Sequence, residues 1–220
     1  VGGHRRRQGR HRALSRGIPG SKIMSDRDRR PRLILASASP RRHELLTLFR
    51  LPFDIVPAQI DEAIHSGESA PDYVARMARQ KALAVGGEAG GFVLGADTVV
   101  VLDGECLGKP ADEHEAGAML KRLSGRAHRV LSAVALAADG RIHDHHTSAT
   151  LVEFDDLPPW WIDGYIRSGE PFDKAGAYGI QGAAGIWVKS IAGSYSSVVG
   201  LPLNATARLL AAAGLFPAAA

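Results

Sequence analysis

Residues 33–46, LILASASPRRHELL, put two arginines where a helix should refuse them. The apolar run Leu33–Leu35 reads as a buried strand. Ala36–Ser39 turns the chain, Ser39 can cap a helix, and Pro40 suits its first position. Arg41 and Arg42 then fall in the first turn, at the end that already carries partial positive charge. An anion would resolve the conflict. Free backbone N–H groups, two guanidinium forks and the hydroxyls of Ser37 and Ser39 can together hold a phosphate. The alternative is a solvent-exposed helix start whose arginines pair with local carboxylates, and this segment alone does not separate the two.

Lys81 and Asp97 are the next residues at odds with their surroundings. Within 71–85, PDYVARMARQKALAV, the residues Val74, Met77, Ala78, Ala82 and Val85 form one apolar stripe of a helix. Lys81 lies on that stripe, whereas Arg76 and Arg79 lie off it. A lysine there costs free energy unless it is paired or snorkels to water. Asp97 follows the apolar run Phe92–Ala96 and precedes Thr98–Val101. A carboxylate between two buried β runs needs a partner, a metal or a proton. At the end of a strand it would sit in the ligand crevice of an α/β sheet, and the alternative is an aspartate capping a neighbouring turn.

Other signals are weaker. The pair Asp61-Glu62 reads as a solvated loop. Gly108-Lys109-Pro110 imitates a phosphate loop, but Gly104 is one residue too close and Pro110 replaces the metal-binding hydroxyl, so its content is Lys109 on a rigid turn. Gly176, Gly179, Gly182 and Gly185 are spaced by three, which is not the dinucleotide fingerprint. His114-Glu115 lacks the second histidine of a zincin helix. His143, His145 and His146 read as a polar surface tract, and Ser194, Ser196 and Ser197 do not fit a nucleophile elbow.

Short β-rich runs alternating with helical stretches from residue 32 onward predict an α/β fold. The predicted helices cover 41–49, 71–85 (closed by Gly86-Gly87), 112–123, 159–167 and 203–213. Strands are expected at 53–57, in two runs within 92–102 broken at Gly95-Ala96-Asp97, and in a pair at 128–137 and 142–154. Residues 173–200 are glycine-rich, with strand-like pieces at 186–191 and 195–199.

The chain has 220 residues, 45% of them hydrophobic, enough for a sizeable core. No apolar run reaches the roughly 18 residues of a membrane helix, so no membrane association is expected. A single cysteine, Cys106, cannot form an internal disulfide and fits a reducing cytoplasm. Basic character is confined to the leader: residues 1–25 hold seven of the 27 lysines and arginines and no acid, leaving 20 bases against 23 acids. Residues 1–28 are therefore expected to be a disordered basic leader or an extension ahead of Met24, with one domain over 29–220. Aromatic residues make up only 6%, which argues against a specific nucleic-acid surface.

The motifs taken together resemble a known family. Ser37-Ala38-Ser39-Pro40-Arg41-Arg42, Asp61-Glu62, Gln80-Lys81-Ala82, Gly95-Ala96-Asp97-Thr98, Gly108-Lys109-Pro110, Asp173 to Gly182 and Val199-Gly200-Leu201-Pro202 follow the order seen in the Maf nucleoside triphosphate pyrophosphatases. The resemblance implies a mixed twisted sheet with flanking helices, in two lobes around a central cleft, and often a homodimer. It implies Asp97 as general base, Glu62 with Asp97 as acids for Mg²⁺ or Mn²⁺, and Lys81 and Lys109 as catalytic cations. Ser37, Arg41, Arg42, Thr98 and Gln181 become substrate-binding candidates. Thr98 after the aspartate, and Gln181 in Tyr178-Gly179-Ile180-Gln181-Gly182, resemble the dTTP/UTP branch. An amide such as Gln181 can accept from N3–H and donate to O4 of uracil or thymine. The alternatives are a 7-methyl-GTP pyrophosphatase of the sister branch, or a nucleotide-binding regulator of septation.

Overall fold

A computed structural model describes Gly2, residues 32–89 and residues 91–216. The expected leader lies outside those residues, apart from Gly2. Among the described residues the strands are β1 (Leu33–Leu35), β2 (Asp54–Ile55), β3 (Phe92–Leu102), β4 (Glu105–Leu107), β5 (Ala127–Ala138), β6 (Arg141–Phe154) and β7 (Val188–Ala192). The α-helices among these residues are α1 (Pro40–Thr47), α2 (Ala70–Ala89), α3 (Glu113–Leu123), α4 (Pro159–Arg167), α5 (Tyr195–Val199) and α6 (Leu203–Ala212). All strands join one mixed sheet, in the order β2-β1-β3-β5-β6-β7, with β4 also on β3. Among the described residues no helix is long and apolar enough to cross a membrane.

Strand alternation divides the apolar residues between the two faces of the sheet. Ile34, Val93 and Val99 pack with Val74, Met77, Ala78 and Ala82 of α2 on one face. Leu33, Leu35, Leu94, Val100 and Leu102 face the other core, built with α3, α4 and α6. Gly95 lets α2 come close: a Cβ there would lie 2.2 Å from the Ala78 carbonyl oxygen and 2.6 Å from the Ala82 nitrogen. Two residues further along the same face of β3 stands Asp97, so the contact that Gly95 permits also sets Lys81 over that carboxylate.

The edge of β3 opposite β5 is only partly covered. β1 pairs in parallel with Phe92–Leu94, and β4 pairs antiparallel with Val100–Leu102. Among the described residues no strand pairs with 95–99 on that edge, and this notch is where the cavity opens. It also corrects the expectation of two broken β runs. β3 is continuous through Asp97, whose backbone is in register with Ala133 of β5. Asp97 is thus mid-strand, and the crevice forms because the neighbouring strands stop.

Other boundaries differ for local reasons. α2 runs past Gly86-Gly87 to Ala89. Strand 53–57 shrinks to two residues. Residues 195–199 are helical, because the Ser194 hydroxyl caps them by accepting from the Ser197 amide. The glycine-rich stretch folds into short 3-10 turns at Glu170–Asp173, Ala175–Ala177 and Ala183–Trp187.

One buried polar pair in the core makes a stability prediction. His128 of β5 is 2% exposed and its Nε2 lies 2.7 Å from the Tyr178 hydroxyl. Burial pushes the imidazole down from its usual 6.5 to about 4. Unfolding therefore takes up a proton between those values, so the stability that His128 contributes is full above pH 6.5 and is lost as pH drops towards 4. In His128→Gln, which keeps a polar partner for Tyr178, thermal melts over this window should show a flatter pH dependence than the parent. An identical slope would sink the assignment.

Candidate active site

The notch opens into a cavity of about 720 Å³. β1 ends at Leu35, and the turn Ala36–Ser39 brings the N-terminus of α1 to its rim. Ser39 holds the capping position with extended backbone but makes no side-chain cap. The Ser37 hydroxyl instead accepts from the Ser39 amide at 3.2 Å and from Arg42 Nη1 at 3.2 Å. The expected Ser39 cap is therefore absent. The side chain that organises the turn is Ser37, which is 7% exposed.

The two arginines have different partners. Arg41 Nη1 pairs with Asp173 Oδ2 at 2.8 Å, and its Nη2 donates to the Asp173 carbonyl at 3.3 Å. This is the carboxylate alternative, met by an acid far away in sequence. Among the described residues Arg42 pairs with no carboxylate. Its Nε donates to the Gly200 carbonyl at 2.9 Å, and its Nη2 reaches Thr98 Oγ1 at 3.4 Å. Burial lowers its pKa, opposed by Asp97, with the Arg41 charge adding to the lowering and Glu62 opposing it. A cation in that position is stabilised by any anion entering the cavity.

Lys81 answers the question its apolar surroundings posed. Its Nζ sits 2.7 Å from Asp97 Oδ1 and 2.8 Å from Glu62 Oε1. The Lys81 and Asp97 side chains are 9% and 10% exposed, whereas Glu62 is 52% exposed. Burial raises the Glu62 pKa, but the Lys81 hydrogen bond and charge, aided by Lys109 and Arg42, outweigh it and leave the carboxyl below its usual range. Glu62 comes from the loop after β2, which is strapped to α2. The Tyr73 hydroxyl donates to the Glu62 carbonyl at 3.1 Å, and Arg76 donates to the Ala63 carbonyl at 2.9 Å.

Thr98 projects to the opposite face of β3. Ser132 donates to the Ser197 carbonyl at 2.6 Å, so its own oxygen is left to accept from Thr98 Oγ1, also at 2.6 Å. The relay fixes the Thr98 oxygen towards Arg42. Lys109 follows β4, is exposed and lines the cavity. Its turn is anchored where the Gly176 amide donates to the Gly108 carbonyl at 2.9 Å. Gln181 is exposed on the far rim, and no hydrogen bond holds its side-chain amide among the described residues.

The cavity therefore brings together Ser37, Arg41, Arg42, Glu62, Lys81, Asp97, Thr98, Lys109 and Gln181. Sequence reasoning missed Ser132, Asp173 as the Arg41 partner, and the Gly200 carbonyl. A lone serine in VLSAVALA was a usable signal for Ser132; the other two depend on contacts across more than 130 residues. No three His, Cys, Asp or Glu side chains cluster as a metal cage among the described residues. Glu62 and Asp97 offer hard oxygen donors, each using one oxygen on Lys81. Such a pair suits Mg²⁺ or Mn²⁺ when phosphate oxygens and water complete the shell.

Residues 32–213 match the Maf-like protein family. A dTTP/UTP pyrophosphatase of Alcanivorax borkumensis is 53% identical over 183 residues, covering 81% of this chain and 93% of the relative. One from Myxococcus xanthus is 52% identical over 184 residues, covering 83% and 93%. Among solved structures, a HAM1 protein from Coxiella burnetii is similar at 19% identity and a TM-score of 0.42, over 67% of this chain and 86% of that one.

Proposed function

This chain belongs to the Maf family, and we propose that it hydrolyses dTTP and UTP to the nucleoside monophosphate and pyrophosphate. The observation that carries the chemistry is the Lys81-bridged pair of carboxylates in the notch, beside Arg41, Arg42 and Lys109. The substrate rests on the names of relatives at 51–53% identity, and on Thr98 and Gln181.

In this reading the triphosphate lies along the arginines and Lys109, which offset its charge and the charge that develops on the leaving group. Arg41 exchanges Asp173 for a phosphate oxygen. Asp97 orients a water molecule and takes its proton as the oxygen attacks the α-phosphorus. The bond from that phosphorus to the bridging oxygen breaks, and pyrophosphate leaves. Lys81 holds the Asp97 carboxylate aimed before the attack. Glu62, with Asp97, would hold Mg²⁺ or Mn²⁺, which supplies Lewis-acid polarisation of the phosphoryl oxygens when bound. A cytoplasmic enzyme of the nucleotide pool, assembled as a homodimer, is the matching cellular form.

The test is a nucleotide panel with Mg²⁺ or Mn²⁺, scored by pyrophosphate release. UTP, dTTP and 5-substituted uridine triphosphates should be hydrolysed well, and CTP and 7-methyl-GTP poorly. Efficient use of 7-methyl-GTP with little of UTP or dTTP would move the chain to the sister branch. Nucleotide binding without any turnover would favour the septation-regulator alternative.

A further inference from the structure

A side-chain amide reads the edge of a base only if the backbone that carries it is held still. Gln181 lies in the stretch 179–183, between two short 3-10 turns, and its backbone is tied down by one carboxylate. Glu170 Oε1 accepts from the Tyr165 hydroxyl at 2.9 Å, and the same Tyr165 oxygen accepts from the Gly179 amide at 3.1 Å. Glu170 Oε2 takes a longer bond, 3.4 Å, from the Ala183 amide. Both ends of the stretch therefore reach Glu170, one directly and one through the phenol. Tyr165 is itself fixed, buried in α4 and stacked on Trp161 at 4.8 Å between ring centroids.

Two of the glycines in this stretch answer to the same arrangement. A Cβ at Gly182 would lie 1.9 Å from Glu170 Oε1, and one at Gly179 would lie 2.6 Å from Lys174 Cε. Their use is close approach, so that the carboxylate and the lysine stem can press on the backbone.

We propose that Glu170, with Tyr165, is the positioning residue that sets the base selectivity of the cavity, by holding 179–183 and hence the amide of Gln181. The proposal rests on the reading of Gln181 as the base-contacting residue. The phosphate arm is served separately. Lys174 Nζ donates to the main-chain carbonyl of Glu170 at 2.6 Å and to Asp173 Oδ1 at 2.6 Å, and Asp173 holds Arg41. Removing the Glu170 side chain thus frees the base loop and leaves the contacts to the phosphate side in place.

The experiment compares Glu170→Ala, Glu170→Gln and Gly182→Ala with the parent. In Glu170→Ala the ratio of kcat/KM for UTP over CTP should fall about tenfold, because an amide that wanders no longer favours one edge. Gly182→Ala should reproduce that loss, since the added methyl group displaces the carboxylate. Glu170→Gln retains an acceptor for Tyr165 and should keep most of the selectivity. Pyrophosphate binding should stay within about twofold of the parent in all three, as expected when phosphate contacts are untouched. Amide exchange at Gly179 and Ala183 should quicken in Glu170→Ala. An unchanged UTP-to-CTP ratio, a matching loss of pyrophosphate binding, or unchanged exchange at those two amides would each overturn the proposal. A parent enzyme with no preference between the two bases overturns the reading of Gln181 instead, and that result appears before any variant is made.

Discussion

Asp97→Asn should fold and lose most of its turnover, by about 10²–10⁴-fold if Asp97 is the general base. The fold should survive because the change is nearly isosteric and because Lys81 keeps a second carboxylate, Glu62, at 2.8 Å. The backbone of Asp97 pairs with β5 irrespective of its side chain. What the amide cannot do is take a proton from water. Pyrophosphate and UTP should still bind, since Arg41, Arg42 and Lys109 are intact, so with the divalent ion at saturation the loss belongs in kcat with KM nearly unchanged. Rapid-quench or steady-state pyrophosphate release checks the rate, and a thermal melt checks the fold. Turnover of this variant within a few-fold of the parent would remove Asp97 from the chemistry.

The parts of this site legible in the sequence are those where a residue type conflicts with its local setting. Arg41 and Arg42 oppose a helix dipole, Lys81 breaks an apolar stripe, and Asp97 interrupts an apolar strand; all four line one cavity. Local conflict identifies a residue but does not name its partner. The Arg41 charge is met by Asp173 and the Lys81 charge by Asp97 and Glu62, and those pairings are set by the fold. The same limit explains the strand errors. Gly95-Ala96-Asp97 reads as a break because glycine and aspartate are poor strand formers. The long antiparallel register with β5 overrides that preference, and Gly95 is needed because α2 lies against it. Residues 195–199 carry Val198 and Val199 and read as strand, yet a serine cap just ahead turns them helical. Gln181 and Glu170 fall outside any such conflict. Neither residue is unusual where it stands, and resemblance or geometry is needed to connect them.

Lys81→Met is the harsher test of the site, because it removes the one cation that two acids share. The methionine fits the apolar stripe formed by Val74, Met77, Ala78 and Ala82, so packing on α2 is kept. What is lost is the compensation of Asp97, which is 10% exposed, and of Glu62 beside it. Breaking a wholly buried ion pair typically costs about 3–5 kcal/mol, and the open side of Glu62 makes the loss here smaller. Two carboxylates that lose a common cation are left to repel each other. If Asp97 activates the water, a carboxylate no longer held by Lys81 is misplaced for that step, so turnover should drop by about 10²-fold or more. The double variant Lys81→Met with Glu62→Gln separates charge from catalysis. Deleting one acid relieves the repulsion, so melting temperature should recover beyond the sum of the single effects while turnover stays low. If Lys81 merely touched phosphate, the single variant would raise KM with little effect on kcat, and would gain nothing in stability from the second change.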